Sequence, residues 1–367
     1  MVYKYTSKNR YFKDVIDDYF KTDWTKYNDI NLDNLNYVDV DYPNKSCNKC
    51  KIINQFKTID MLGNKKEQYE SIVKYNNGIK PDYMPLTIAF EKDTIQNIKY
   101  LFVGNKKWIV KPENSLARNG VTLLNSYEKC EKWVIKHKYK TWIIQDYIDS
   151  PLLISGRKFH FRLYVLVIKD SSNISILLYN KGFMYFAKTP YDTNILIHDS
   201  NLSGEYNPEC VKVFPHNYIQ HFGDELYINT IVPQFKKIVK ETIMAVYNKI
   251  ECPDGMADKY RCFKMFGYDV LVDSSHKLHL AEINARLISL KYPPPGFKND
   301  LYRNILDIIT SDVLPHNGEL TKSSEFLFID TTPVIKSNRK KTLDKTKLYA
   351  TLYTIIALLI LFFIVVW

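Results

Sequence analysis

The sequence predicts a mixed α+β body, and three patterns carry that reading. Strand-length apolar runs recur at Trp108–Val110, Val121–Leu124 and Trp142–Tyr147. Phe159–Lys169 alternates with the period of two that a strand requires. Ile231–Ile250 instead sets Ile231, Phe235, Ile238, Val239, Ile243, Val246 and Ile250 at helical spacing.

Along the chain, residues 1–84 are rich in Tyr, Asn and Asp with weak periodicity. They read as a small N-terminal domain or arm. The main α+β region spans 85–330. Within it Ser126 caps a helix running to about Lys138, because its hydroxyl can accept from the helix's free N–H groups. Gly267–Val272 and Leu278–Asn284 are two strands about the polar turn Ser274–Lys277. Asp300–Val313 forms a last amphipathic helix.

Composition excludes several classes. Hydrophobic residues make up 46 % and charged residues 25 %, which suits a packed core rather than a disordered chain. The net charge is +11, with six basic residues against one Asp in the linker 331–347. The body keeps a positive excess that attracts anionic partners. No zinc-finger spacing or RNA-binding aromatic signature is present, so nucleic acid is not an expected partner. Cys47-Asn-Lys-Cys50 has no second ligand pair nearby in sequence, and these read as ordinary thiols of a reducing compartment. Residues 348–367 carry no charge over twenty positions, enough to cross about 30 Å of hydrocarbon as a helix. With the basic linker before it, this run reads as a single-pass tail anchor with the body facing the cytosol.

Three constellations suggest chemistry. Lys111 ends the strand Trp-Ile-Val-Lys-Pro and precedes a loop containing Gly120, an arrangement suited to gripping a phosphate. In Gly156–Arg162, strand alternation puts Lys158, His160 and Arg162 on one face, and that face continues into Tyr164, Leu166 and Ile168. Two cations beside buried surface favour an anion cleft. Asp269 lies in an apolar strand, and a turn at Ser274–Lys277 sets it opposite Glu282, with Asn284 on the same face as Glu282. Facing carboxylates repel unless a cation lies between them, and Asp, Glu and Asn oxygens suit Mg²⁺.

In this order the motifs resemble the tubulin–tyrosine ligase-like family of the ATP-grasp superfamily. The resemblance rests on WIVKP, WIIQDYIDSPLLISGRKFHFRLYVLV, the His198–Ser203 segment, FGYDVLVD and LAEIN. It implies an ATP-grasp fold with a small N-terminal domain, to which the C-terminal transmembrane helix is added. It implies a ligase that uses ATP and Mg²⁺ to activate a carboxylate as an acyl phosphate, which an amine then attacks. The expected acceptor is an acidic protein tail such as tubulin's, and the donor a free amino acid. By motif position, Lys111, Gly120, Lys158 and Asn201 should contact the nucleotide. Gln145 and the Asp146, Tyr147 and Ile148 backbone should form the adenine hinge. Arg162 and Lys158 should act on the reacting phosphoryl and carboxylate groups, and Asp269, Glu282 and Asn284 should hold Mg²⁺. His160 stands where the family pattern has Asp, and Tyr185 where it has a second arginine. These departures leave a second reading, a membrane-tethered binding module with an impaired active site.

Overall fold

In the computed structural model the described residues are 3–7, 13–21, 24–26, 37–39, 50–57, 60–113, 119–193, 208–257, 259–285, 293–311 and 325–333. The chain forms two compact units, Met1–Thr332 and Pro333–Trp367. The elements described belong to the first, apart from the last residue of its final strand.

The body is mixed α+β, as the sequence predicts. Strands β1 (Tyr3–Ser7), β2 (Trp24–Lys26), β3 (Tyr37–Asp39) and β4 (Ile52–Ile53) pair in parallel. Helix α1 (Lys13–Phe20) follows β1 and buries Val15, Ile16 and Phe20 in a core cluster with Tyr164 and Tyr179. Helix α2 (Lys65–Tyr75) is capped by Asn64, whose Oδ1 accepts from the N–H groups of Lys66 and Glu67.

Strands β5 (Thr87–Glu91), β6 (Trp108–Pro112), β7 (Thr122–Leu124) and β8 (Thr141–Asp146) build an antiparallel sheet in the order β5-β8-β6-β7. Helix α3 (Tyr127–Lys136) covers it, and the Ser126 hydroxyl accepts from the Lys129 N–H as the sequence predicts. Trp108, Val110, Val134, Trp142 and Ile144 fill the layer between them.

The remaining strands are β9 (Leu153–Ile154), β10 (Arg157–Lys169), β11 (Asn173–Tyr179), β12 (Gly182–Phe186), β13 (Val211–Phe214), β14 (Arg261–Val272), β15 (Leu278–Asn284) and β16 (Phe326–Pro333). They join the N-terminal strands in a twelve-stranded sheet whose spine runs β13-β12-β10-β14-β4-β3-β1-β2. Strand β10 lies at its heart, antiparallel to both β12 and β14. That position explains its sequence: beyond Arg162 both faces are buried, so the alternation gives way to a continuous apolar run.

Helix α4 (Val232–Met244) is shorter than the 231–250 pattern predicts. Val246, at φ −116° and ψ 7°, leaves helical geometry, and Tyr247–Lys249 forms a separate short turn. Helix α5 (Phe297–Thr310) starts three residues before the expected Asp300, immediately after Gly296 at φ +84°. Its Phe297, Leu301, Ile305 and Ile309 close the core over Tyr164, Tyr179 and Phe183.

Two expectations need correction. Cys252 and Cys262, ten residues apart in the chain and 5.8 Å apart by Cα, form a disulfide, and Cys50 is also disulfide-bonded. The fold brings the first pair together across a loop that sequence spacing did not reveal. The second correction concerns the membrane. Residues 348–367 lie outside the described residues, and among those described no helix is long and apolar enough to cross a bilayer. Helix α5, for example, has 14 residues and includes Lys298, Asp300, Arg303 and Asp307. At about 1.5 Å per residue it falls short of the hydrocarbon layer. The transmembrane helix and the tail-anchored localisation are therefore without support and are not carried further.

Candidate active site

The site is built from one row of side chains across four strands. Pairing sets Phe183 of β12 opposite Arg162 of β10, Arg162 opposite Asp269 of β14, and Asp269 opposite Glu282 of β15. Paired residues share a face, so the row presents an arginine and two facing carboxylates to one side.

The Asp269–Glu282 pairing follows the predicted register by an unexpected route. The turn takes five residues, Asp273–Lys277, because Asp273 Oδ1 accepts from the N–H groups of Ser275 and Lys277. Val272 thus pairs with Leu278, one step off the predicted register. A bulge after Asp269 restores it: Val270 pairs with Leu280 and Asp269 with Glu282. The extra residue between them is Ala281.

Arg162 donates to both Asp269 oxygens, from Nε at 2.5 Å and Nη2 at 2.9 Å. Asn284 Nδ2 donates to Asp269 Oδ2 at 3.2 Å, and His160 Nε2 lies 3.6 Å from Oδ1. Burial is the largest influence and pushes the Asp269 carboxyl up, but the Arg162 and His160 charges and the hydrogen bonds from Arg162 and Asn284 together outweigh it. The carboxyl is held below its ordinary value. Burial likewise opposes the Arg162 charge, and Asp269 more than compensates.

At the other end of the row Lys65, the first residue of α2, places Nζ 3.8 Å from Glu282 Oε2. Its side chain is only 8 % exposed. Lys65 was missed by the sequence reading, because the N-terminal segment lacks periodicity and a lysine at a helix start gives no signal of burial.

Lys111 of β6 in the four-stranded sheet and Lys158 of β10 supply the other cations. Lys111 Nζ donates to Gln145 Oε1 at 2.9 Å. Burial, with Lys65 adding to it, lowers the Lys111 amine to about 8, while Glu282 and Asp269 pull the other way. Lys158 Nζ sits 4.1 Å from the Tyr147 ring centroid. Burial lowers it to about 7, opposed by Asp149 and aided by Lys107. Asp146 is held by Lys106 at 2.6 Å. The N–H groups of Asp146 and Tyr147 donate to the carbonyls of Leu86 and Lys107. Ile148 is partly buried beside them. Gly120 has φ +77°, and a Cβ there would collide with Pro112 Cγ at 2.8 Å, so packing alone accounts for this glycine. Asn201, expected at the nucleotide, lies outside the described residues.

His160 and Tyr185, the two departures from the family pattern, are cross-strand neighbours. Their rings stack at 5.4 Å with an interplanar angle of 23°. The Arg162 guanidinium lies 5.6 Å from the Tyr185 ring centroid. Tyr185 is packed among aromatic residues of the core rather than projecting as a second cation would.

Among the described residues no cluster of three His, Cys, Asp or Glu surrounds a common point. The expected metal set is different in kind: two carboxylates and one amide, all oxygen donors. Facing carboxylates flanked by Arg162 and Lys65 fit a hard cation bound jointly with phosphate oxygens.

The profile of the Tubulin-tyrosine ligase family matches residues 44–319, three quarters of the chain. The chain belongs to the tubulin–tyrosine ligase family. The matched span of this family contains every candidate residue named above. Similar proteins include the probable alpha-tubulin polyglutamylase Ttll1 of Tetrahymena thermophila, 27 % identical over 282 residues. That alignment covers 67 % of this chain and 65 % of the relative. Tubulin glycylase 3C of the same organism is 26 % identical over 235 residues, covering 59 % of this chain and 21 % of its own length. The mouse tubulin monoglutamylase TTLL4 is 26 % identical over 249 residues, covering 60 % and 20 %. This chain thus spans under two thirds of these relatives' lengths.

Proposed function

We propose that the chain is an ATP-dependent ligase that adds an amino acid to an acidic protein tail, with tubulin the leading acceptor. The reading assigns an ATP-grasp fold, with nucleotide held between the four-stranded sheet and the face of β10, β14 and β15. One observation carries it: Asp269 faces Glu282 with Arg162 at one end of the pair and Lys65 at the other.

Each residue then has a role that its chemistry permits. Lys111 and Lys158, buried and depressed toward neutrality, regain a full charge beside phosphate oxygens. Asp269, Glu282 and the Asn284 amide oxygen would hold Mg²⁺, which supplies charge neutralisation for the phosphate groups. Arg162 stabilises negative charge developing on the phosphoryl and carboxylate oxygens, the step that forms an acyl phosphate. The Asp269 bonds fix its guanidinium before substrate arrives, so no reorganisation is required at the moment of reaction. The relatives' names, which specify glutamylation and glycylation of tubulin, support the acceptor class. So does the chain's net charge of +11.

The test is incorporation of labelled glutamate, glycine or tyrosine into tubulin by the full chain, with ATP and Mg²⁺ present or omitted. Incorporation that needs both supports the ligase. A second reading, an ATP-binding module without ligase activity, is favoured by the Tyr185–His160 stack, which leaves Arg162 without a second guanidinium beside it on β12. Nucleotide binding with no incorporation of any of the three would favour that module.

A further inference from the structure

We propose that Thr87 and Gln145 are positioning residues for Lys111, holding its ammonium group in one orientation for nucleotide phosphates. The proposal rests on the nucleotide reading above and deepens it.

The three residues lie on one face of the four-stranded sheet. Thr87 of β5 is directly opposite Gln145 of β8, and Gln145 is opposite Ile109 of β6. Lys111 is two residues along from Ile109, so its side chain shares that face and reaches Gln145 diagonally. The hydrogen bonds form a chain. Lys111 Nζ donates to Gln145 Oε1 at 2.9 Å. Gln145 Nε2 donates to Thr87 Oγ1 at 2.8 Å. Thr87 Oγ1 donates to the Pro85 carbonyl at 3.0 Å.

The direction of this chain has no alternative. An ammonium only donates and a carbonyl only accepts. The Gln145 amide must therefore present oxygen to Lys111 and its NH₂ group to Thr87, and the Thr87 proton must go to Pro85. Reversing the amide would set an NH₂ group against the ammonium. Lys111 fixes which way the amide points, and Thr87, accepting from its NH₂ group, holds the amide and with it the lysine head in place. Burial makes the chain matter: Lys111 and Thr87 are each 6 % exposed, so a lost partner is not replaced by bulk water. The Gln145 amide, expected at the adenine base, is engaged at both ends by Lys111 and Thr87.

The variants are Thr87→Val, which keeps the shape and removes the hydroxyl, and Thr87→Ser, which restores it. Each is made in the full chain, alone and with Lys111→Ala, and Mg-ATP affinity is measured by calorimetry. Thr87→Val should weaken binding by up to about tenfold, the scale of one neutral buried hydrogen bond. Thr87→Ser should stay within about twofold of wild type. In the Lys111→Ala background Thr87→Val should add no further loss, because a residue acting through Lys111 has nothing left to position. A loss of equal size in both backgrounds, or no loss in either, overturns the proposal. If wild type binds no Mg-ATP, the nucleotide reading itself fails and takes this role with it. A ligand-free measurement covers that case and any change in folding. The NMR signal of the Lys111 ammonium should move in Thr87→Val and in Gln145→Leu, and return in Thr87→Ser. A signal unmoved in both variants would show that neither residue orients the lysine.

Discussion

Arg162 and Asp269 stand directly opposite each other on β10 and β14 and are joined by two hydrogen bonds, from Nε and Nη2, to the two carboxylate oxygens. The pair is mostly buried, with side chains 15 % and 16 % exposed. Breaking a pair of this kind leaves one charge without compensation, which costs about 3–5 kcal/mol. Arg162→Ala should destabilise the ligand-free body toward that range, read by urea unfolding at pH 7. Arg162→Leu combined with Asp269→Leu should cost less than Arg162→Ala alone, since no charge remains uncompensated. A double variant less stable than the single one would contradict this account of the pair.

The buried lysines give a pH dependence of definite sign. Lys158 is lowered to about 7 and Lys111 to about 8, both from an ordinary value of 10.5. Between these values and 10.5 the unfolded chain binds more protons than the folded one, so stability should rise with pH. The cost is present in full below about pH 7, where both lysines are charged in either state. Unfolding free energy of the ligand-free body should increase from pH 7 to 9. Lys158→Met should flatten that slope and raise stability at pH 7 by roughly 1–3 kcal/mol. A flat or falling profile in wild type would contradict the assignment. Asp269 does not interfere, because its lowered carboxyl contributes stability that is lost only as pH falls below its ordinary 3.8.

Lys65 links the N-terminal segment to the carboxylate pair, and its charge also depresses Lys111. Lys65→Met should therefore have two signatures. Mg-ATP affinity should fall, by up to about tenfold, because Lys65 no longer orients the Glu282 carboxylate of the facing pair. The Lys111 amine should titrate above about 8 once its like-charged neighbour is gone. NMR titration of the lysine ammonium groups in the ligand-free chain checks the second signature. An unchanged Lys111 titration would place Lys65 too far away to matter.

Much of this arrangement could be read in the sequence, and the reasons differ by element. The β10 face carrying Lys158, His160 and Arg162 follows from period-two alternation, which is local. The Asp269–Glu282 pairing was also legible, although a longer turn and a bulge, two offsetting local choices, produce it. What escaped was set by long-range contact. Lys65 reaches Glu282 from a segment without periodicity. Gln145 was expected at the adenine, and only the geometry of β5 against β8 shows its amide turned to Lys111 and Thr87. Tyr185 and His160 were separate departures in the sequence; adjacent strands make them one stack. The C-terminal apolar run showed how a local composition signal can suggest a span that no described helix supports.

The most direct test of the site is the Mg²⁺ dependence of ATP binding in wild type, Asp269→Asn and Glu282→Gln. If the facing carboxylates hold the cation that accompanies the phosphates, Mg²⁺ should tighten ATP binding to wild type by about tenfold or more. Each variant should lose most of that gain while keeping the weaker, Mg²⁺-independent affinity supplied by Lys111 and Lys158. Equal Mg²⁺ enhancement in all three proteins would contradict the account.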